Sequence, residues 1–247
     1  AGGVYVDCTV GAGGHAWGIL ANSSPDGLLL GLDLDPVAIN LSTKHLEEYK
    51  DRVRLIHASY QTIAKQLTGL GWEKADGILM DLGVSSMQLD TPEKGFSFQA
   101  EGPLDMRFNP EQEEKAEDMV NQLAEEELAD LLWRYGEERK SRQIARAICK
   151  ARPVHTTQSL VNIIIQAAGK YESRIHPATR TFQALRIAVN REMETLERTL
   201  PEAVNSLAPG GRLVIISFHS LEDRIVKQYF QRESRDCICP PSQPICT

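Results

Sequence analysis

The run Leu28-Leu29-Leu30-Gly31-Leu32 is apolar at both phases of a two-residue alternation. A strand of that kind has no solvent face, so it belongs in a sheet covered on both sides. Similar short runs occupy 4–8, 53–57 and 77–82, and the spacers between the first three have helical length and patterning. A β-α-β-α-β series of this type predicts an α/β fold with a doubly wound parallel sheet.

The rhythm breaks after Leu82. From 111 to 200 the patterns are helical only, including an acidic stretch at 111–127 and a segment at 141–151. The strand signal returns at Pro209-Gly210-Gly211, read as a turn feeding a strand at 212–217, then a helix with Ser220 and Asp223 at N-cap and N3 spacing. The expected organisation is a discontinuous domain, 1–108 with 196–247, hosting an all-helical insertion at 109–195.

Composition narrows the function classes. With 247 residues, 42% hydrophobic and 25% charged, the chain is neither disordered nor fibrous. No apolar run reaches the roughly 18 residues of a membrane span, so a soluble, cytoplasmic protein without a membrane partner is expected. The net charge of −7 requires any nucleic acid to be met by a local basic patch. Five cysteines without an even framework suggest a reducing compartment. Cys237, Cys239 and Cys246 offer three thiols where structural zinc needs four ligands, so no metal is assigned. The chain opens directly on a strand-like run, and both ends are read as incomplete.

Asp7-Cys8-Thr9-Val10-Gly11-Ala12-Gly13-Gly14-His15-Ala16 follows the first strand and opens a helix. Its glycines let backbone amides approach a ligand. Gly11, Gly13 and Ala16 also satisfy G-x-G-x-x-G/A, with Asp33 at the end of the second strand as a ribose-binding carboxylate. A nicotinamide oxidoreductase therefore stays open at this point. Charge separates the two: a dinucleotide brings a pyrophosphate, whereas S-adenosylmethionine brings a sulfonium and an ammonium. Asp7 and Asp81 at strand ends favour the cation; the lesser alternative for Asp7 is a turn or capping carboxylate.

Three further segments are more specific. They are Asp81-Leu82-Gly83-Val84-Ser85-Ser86-Met87-Gln88-Leu89-Asp90; Gly95-Phe96-Ser97-Phe98 with Gly102-Pro103-Leu104-Asp105-Met106-Arg107; and Ser217-Phe218-His219-Ser220-Leu221-Glu222-Asp223-Arg224. With the Gly-rich turn and the block from Arg180 to Asn190, the chain closely resembles the bacterial ribosomal RNA small-subunit methyltransferase H family, also called MraW. The resemblance implies a Rossmann-like class I methyltransferase sheet and S-adenosylmethionine as cofactor. It also implies methylation of the 4-amino group of a cytidine in the decoding region of small-subunit rRNA, free or in an assembling 30S subunit. Carried over residue by residue, cofactor contacts fall on Gly13, Gly14, His15, Asp33, Tyr60, Asp81 and Gln88. Tyr60 stands where many relatives have Phe. The family's His-x-Pro-Val segment and basic tail are not among these residues.

Methyl transfer to a delocalised amino group needs in-line positioning and a hydrogen-bond acceptor on the N–H. Asp81 and the Ser85-Ser86 loop are candidates, and Asp105 is another, unless it serves as an N-cap or as an ion-pair partner of Arg107. Phe96, Phe98 and Phe108 could stack an extruded base or pack the insertion. His219 reads as structural. Arg139, Arg142, Arg146 and Lys150 recur at helical spacing and form a candidate phosphate stripe, with Arg180, Arg186 and Arg191 as a weaker set. A non-catalytic rRNA assembly factor and a homodimer remain open.

Overall fold

The computed structural model describes residues 2–169 and 175–235. Five strands, β1 (Val4–Asp7), β2 (Leu28–Asp33), β3 (Val53–His57), β4 (Ala75–Asp81) and β5 (Leu207–Ile216), form one sheet in the order β3-β2-β1-β4-β5, every pair parallel. Helices α1 (Gly14–Asn22), α2 (Pro36–His45) and α3 (Ile63–Gly69) connect the first four strands. This is the doubly wound sheet expected from the apolar runs.

The chain forms two compact units, one of Ala1–Asp33, Ala38–Gly83 and Met193–Thr247, the other of Leu34–Val37 and Val84–Glu192. In the first unit, two buried clusters lie around the sheet. Val6, Leu30, Leu32, Ile78 and Met80 pack with Ile63, Leu67, Leu196 and Leu200, while Val10, Leu29 and Val53 pack with Ala16, Leu20 and Leu46. Adjacent β2 residues Leu29 and Leu30 thus enter different clusters, which is why that run tolerates no polar position. Gly31 is glycine because a Cβ there would lie 2.6 Å from a Leu55 methyl and 3.0 Å from one of Val10.

The second unit carries α4 (Ser86–Leu89), α5 (Ala116–Gln122), α6 (Glu125–Gly136), α7 (Ser141–Ala151), α8 (Thr157–Ala168) and α9 (Thr179–Val189) around a core that includes Leu128, Leu132, Ile144, Ile148, Leu160, Ile164 and Leu185. Apart from the short 34–37 segment, with joints at 33/34 and 37/38, the units meet along the chain at 83/84 and 192/193, whereas the sequence rhythm places the joints at 108/109 and 195/196. The segment 84–108 has little regular structure to signal its allegiance, yet Phe96, Leu104 and Met106 are buried in the helical core. Phe96 stacks on Phe108 with centroids 5.4 Å apart, and Phe98 meets Phe182 edge-on at 5.2 Å. These rings are packing elements of that core.

Helix α10 (Glu192–Asn205) leads into β5, and α11 (Ser220–Glu233) follows it. Two local expectations are corrected here. Pro209-Gly210-Gly211 lies within β5 and forms an irregularity in it: Ala75 pairs with Leu207 and Gly77 with Arg212, and Gly210 has φ 84°. The last strand of the sheet among the described residues tolerates a proline that cannot donate to a ladder. The cap of α11 is His219 rather than Ser220. His219 Nδ1 accepts from the Glu222 N–H at 3.5 Å, and the Phe218 N–H donates to Glu222 Oε2 at 3.0 Å. Because the strand stops at Ile216, the reciprocal bonds form one residue earlier.

Candidate cofactor site

Asp7, Asp33 and Asp81 close β1, β2 and β4. Those strands are parallel neighbours, so their carboxyl ends share one rim of the sheet. The turn between β1 and α1 is stitched to β2: the Val10 N–H donates to the Leu32 carbonyl and the Gly11 N–H to Asp33 Oδ2, both at 2.9 Å. Gly13 is the N-cap of α1 at φ 90°, a backbone region that glycine enters without the Cβ penalty. The first-turn amides of α1, Gly14 and His15 among them, have no acceptor inside the helix and present partial positive charge over the turn.

The acids are not equivalent. Asp7 is 1% exposed; its Oδ1 accepts from the Thr9 N–H at 3.1 Å, and its Oδ2 is without a hydrogen-bond partner. Burial raises its pKa from the usual 3.8 to about 6, opposed by the Thr9 hydrogen bond and by His15, and reinforced by Asp33 and Asp81. The Asp81 N–H donates to the Thr9 hydroxyl at 2.8 Å, while Asp81 Oδ2 lies 3.3 Å from His15 Nε2. The other oxygen of Asp81, Oδ1, is buried without a hydrogen bond. Burial and the neighbouring Asp7 push the Cys8 thiol well up, which makes it an inert core residue. Tyr60 opens the turn after β3, capped by Ser59, its ring half-buried against the sheet's core.

Two buried carboxylate oxygens without hydrogen bonds suit a ligand that brings positive charge, since an uncompensated buried carboxylate is costly. The N-terminus of α1 suits the carboxylate of the same ligand. A pyrophosphate would add negative charge to three acids. The residues therefore fit an amino-acid-bearing sulfonium better than a dinucleotide.

The remaining predicted residues lie in the second unit. Ser85 caps α4: its Oγ accepts from the Gln88 N–H at 3.2 Å, and Gln88 Oε1 accepts from the Ser85 N–H at 3.0 Å. Gln88, only 5% exposed, also donates from Nε2 to Asp35 Oδ2 at 3.2 Å. Asp105 grips Arg107 through both carboxylate oxygens, at 2.8 and 2.7 Å. Burial pushes the Asp105 pKa up, but the hydrogen bonds and charge of Arg107 outweigh it and hold the acid below its usual range. Of the basic set, Arg142, Arg146 and Lys150 project from α7 into solvent, opposite buried Ile144, Ala145 and Ile148. Arg139 precedes the helix, and Arg146 reaches Glu125 at 3.1 Å. Arg186 forms a two-pronged pair with Glu192 at 2.8 and 3.0 Å and is largely buried. Cys237, Cys239 and Cys246 lie outside the described residues.

Sequence reasoning missed Asp35 and Lys94, which are paired at 2.6 Å. A carboxylate directly before a proline at a helix start was the available signal, because it marks an N-cap. The Val37 N–H does donate to Asp35 Oδ1 at 3.0 Å.

The chain is similar over most of its length to proteins of known family. The chain is 55% identical to the ribosomal RNA small subunit methyltransferase H of Dehalococcoides mccartyi over 99% of its length and 70% of the relative's. It is 50% identical to the protein of the same name from Thermomicrobium roseum, covering 99% and 76%. For the Geotalea uraniireducens protein of that name the figures are 51%, 100% and 80%. Residues 1–247 match one family description from end to end, and the chain belongs to the MraW methylase family.

Proposed function

We propose that the protein methylates the exocyclic 4-amino group of a cytidine in the decoding region of small-subunit rRNA, with S-adenosylmethionine as donor. The observation that carries the cofactor is the pair of buried, unbonded carboxylate oxygens on Asp7 and Asp81 beside the N-terminus of α1. The acceptor follows from the relatives, which bear the name of a ribosomal RNA methyltransferase. Its position and base follow from the motif resemblance.

The bound cofactor would supply an electrophilic methyl on a sulfonium. Asp33, held by the Gly11 amide, is suited to the ribose hydroxyls. Asp7 and Asp81 offset the ligand's positive charge, and the Gly14 and His15 amides receive its carboxylate. Asp81 is the proposed acceptor for an N–H of the cytosine amine, localising its lone pair; Ser85, at the cap of α4, is proposed from the sequence resemblance as a further catalytic group. Asp105, committed to Arg107, is assigned to ordering its own loop. Arg139, Arg142, Arg146 and Lys150 are assigned to phosphates.

Calorimetric titration of the chain with S-adenosylmethionine, S-adenosylhomocysteine and NAD tests the cofactor. Binding of the two adenosyl ligands but not NAD, weakened in Asp33→Ala and Asp81→Ala, is expected. Binding of NAD alone overturns the reading. Transfer of labelled methyl to 16S rRNA or 30S subunits, with digestion to nucleosides, then identifies the modified base.

A further inference from the structure

Phe218 is the most exposed large apolar residue among the described ones, at 71%. A single exposed apolar side chain is ordinary; this one differs in how it is held and where. Its backbone is fixed by the helix that follows: the Phe218 N–H donates to Glu222 Oε2 at 3.0 Å, Glu222 Oε1 lies 3.1 Å from His219 Nε2, and His219 caps α11. Glu222 is 1% exposed, and burying a carboxylate is costly unless hydrogen bonds offset it. The fold thus commits a buried acid to holding a backbone whose own ring stays in solvent.

The place is the carboxyl rim of the sheet. Ile216, which closes β5, pairs with Asp81, and the Leu82 N–H donates to the Ile216 carbonyl at 3.0 Å. One strand spacing and two residues of extended chain put the Phe218 backbone roughly 10 Å from that of Asp81. Phe218, His219, Glu222 and Asp81 all belong to the sheet unit, and ligands of open parallel sheets bind at this rim. Other rings are engaged or placed elsewhere. Phe96, Phe98 and Phe108 pack into the helical core, and the exposed Trp17, Trp133 and Phe230 project from the bodies of α1, α6 and α11.

We propose that Phe218 is the stacking face for the target base, lying against the extruded pyrimidine while Asp81 accepts from its amine. The proposal rests on the methyltransferase reading. A base taken out of its helix loses its stacking neighbours, and enzymes that act on such bases replace them with aromatic or apolar side chains. A phenylalanine ring offers a face and no hydrogen bond, so it holds a pyrimidine without choosing between cytosine and uracil. That choice is left to Asp81, which can accept from an amine.

The test pairs a kinetic series with a crosslink, both on the full chain. Phe218→Ala should leave S-adenosylhomocysteine affinity and the denaturant midpoint unchanged. It should lower kcat/KM for methyl transfer to 16S rRNA roughly tenfold, as expected for one base losing an aromatic stacking partner. Phe218→Tyr and Phe218→Trp should restore the rate, whereas Phe218→Leu, apolar but without a π face, should not. Independently, 16S rRNA transcribed with 5-iodocytidine should, on illumination and with loss of iodine, crosslink to the peptide that holds Phe218. An unchanged kcat/KM in Phe218→Ala, a Phe218→Leu chain as active as the wild type, or crosslinks that omit Phe218 would each overturn the proposal. So would an equal loss of S-adenosylhomocysteine affinity, which would make the ring a structural one. If the wild-type chain transfers no methyl to rRNA, the methyltransferase reading falls, and the crosslink alone decides whether Phe218 stacks a base.

Discussion

At Asp7, stability and ligand binding pull in opposite directions. Its folded pKa is about 6 against 3.8 for the ordinary side chain, so between those values the folded chain holds a proton that the unfolded chain has released. The stability this gives is complete below the lower value and lost as pH rises through the upper one. Around neutral pH, keeping the buried carboxylate charged costs on the order of 2–3 kcal/mol. Asp7→Asn should therefore raise the Tm of the ligand-free chain around neutral pH while weakening S-adenosylmethionine binding. In the wild type, affinity should climb as pH rises through about 6. Calorimetry on both proteins across that range checks this; a variant that melts lower and binds equally well would remove Asp7 from the site. Asp105 has the opposite sign. Its pKa is lowered, so its contribution is present above the ordinary carboxylate range and lost on acidification. Asp105→Ala should cost about 2 kcal/mol in denaturant unfolding by leaving Arg107 partly buried and unpaired.

Among the elements, α7 was legible to the residue. Apolar positions at 144, 145 and 148 against basic ones at 142, 146 and 150 specify one helix with one buried face, and Ser141–Ala151 has just that division. The exposed face makes a sharp prediction. Replacing Arg142 and Arg146 by Ala should change stability by no more than about 0.5 kcal/mol, since Arg146 loses only a surface pair with Glu125. The KM for rRNA should rise, with the salt dependence of binding reduced by roughly two phosphate contacts. An unaltered slope in filter binding across a salt series would place the phosphate contacts elsewhere. β5 was less legible: Pro209-Gly210-Gly211 has the composition of a turn, and only pairing with β4 showed that the ladder resumes on both sides of it. For α11, the choice between His219 and Ser220 as cap depended on where β5 stopped.

Over the whole molecule, two units with separate cores divide the three tryptophans, Trp17 and Trp72 in the sheet unit and Trp133 in the helical one. A Trp133→Phe chain thus reports the sheet unit alone. S-adenosylhomocysteine at 100 times its Kd should stabilise that unit by about 2.7 kcal/mol through mass action, seen as a higher denaturant midpoint in tryptophan fluorescence. An unmoved midpoint would place the cofactor outside the sheet unit. The net charge of −7 bears on the same scale: rRNA has to be met by a local basic face such as that of α7, because the average surface repels it.

The sheet, the Gly-rich turn and the three acids at strand ends were legible before folding was considered. Each is encoded locally, in runs of apolar residues, in glycines next to a strand and in carboxylates one residue beyond an apolar stretch. What depends on partners distant in the chain emerged with the folded arrangement alone. Asp35 meets Lys94 across 59 positions, Phe96 and Phe98 turn inward as core, Arg186 is taken by Glu192, and burial, reinforced by Asp33 and Asp81, raises the pKa of Asp7. Burial and pairing are sums over neighbours that folding assembles, and no short stretch of sequence contains them.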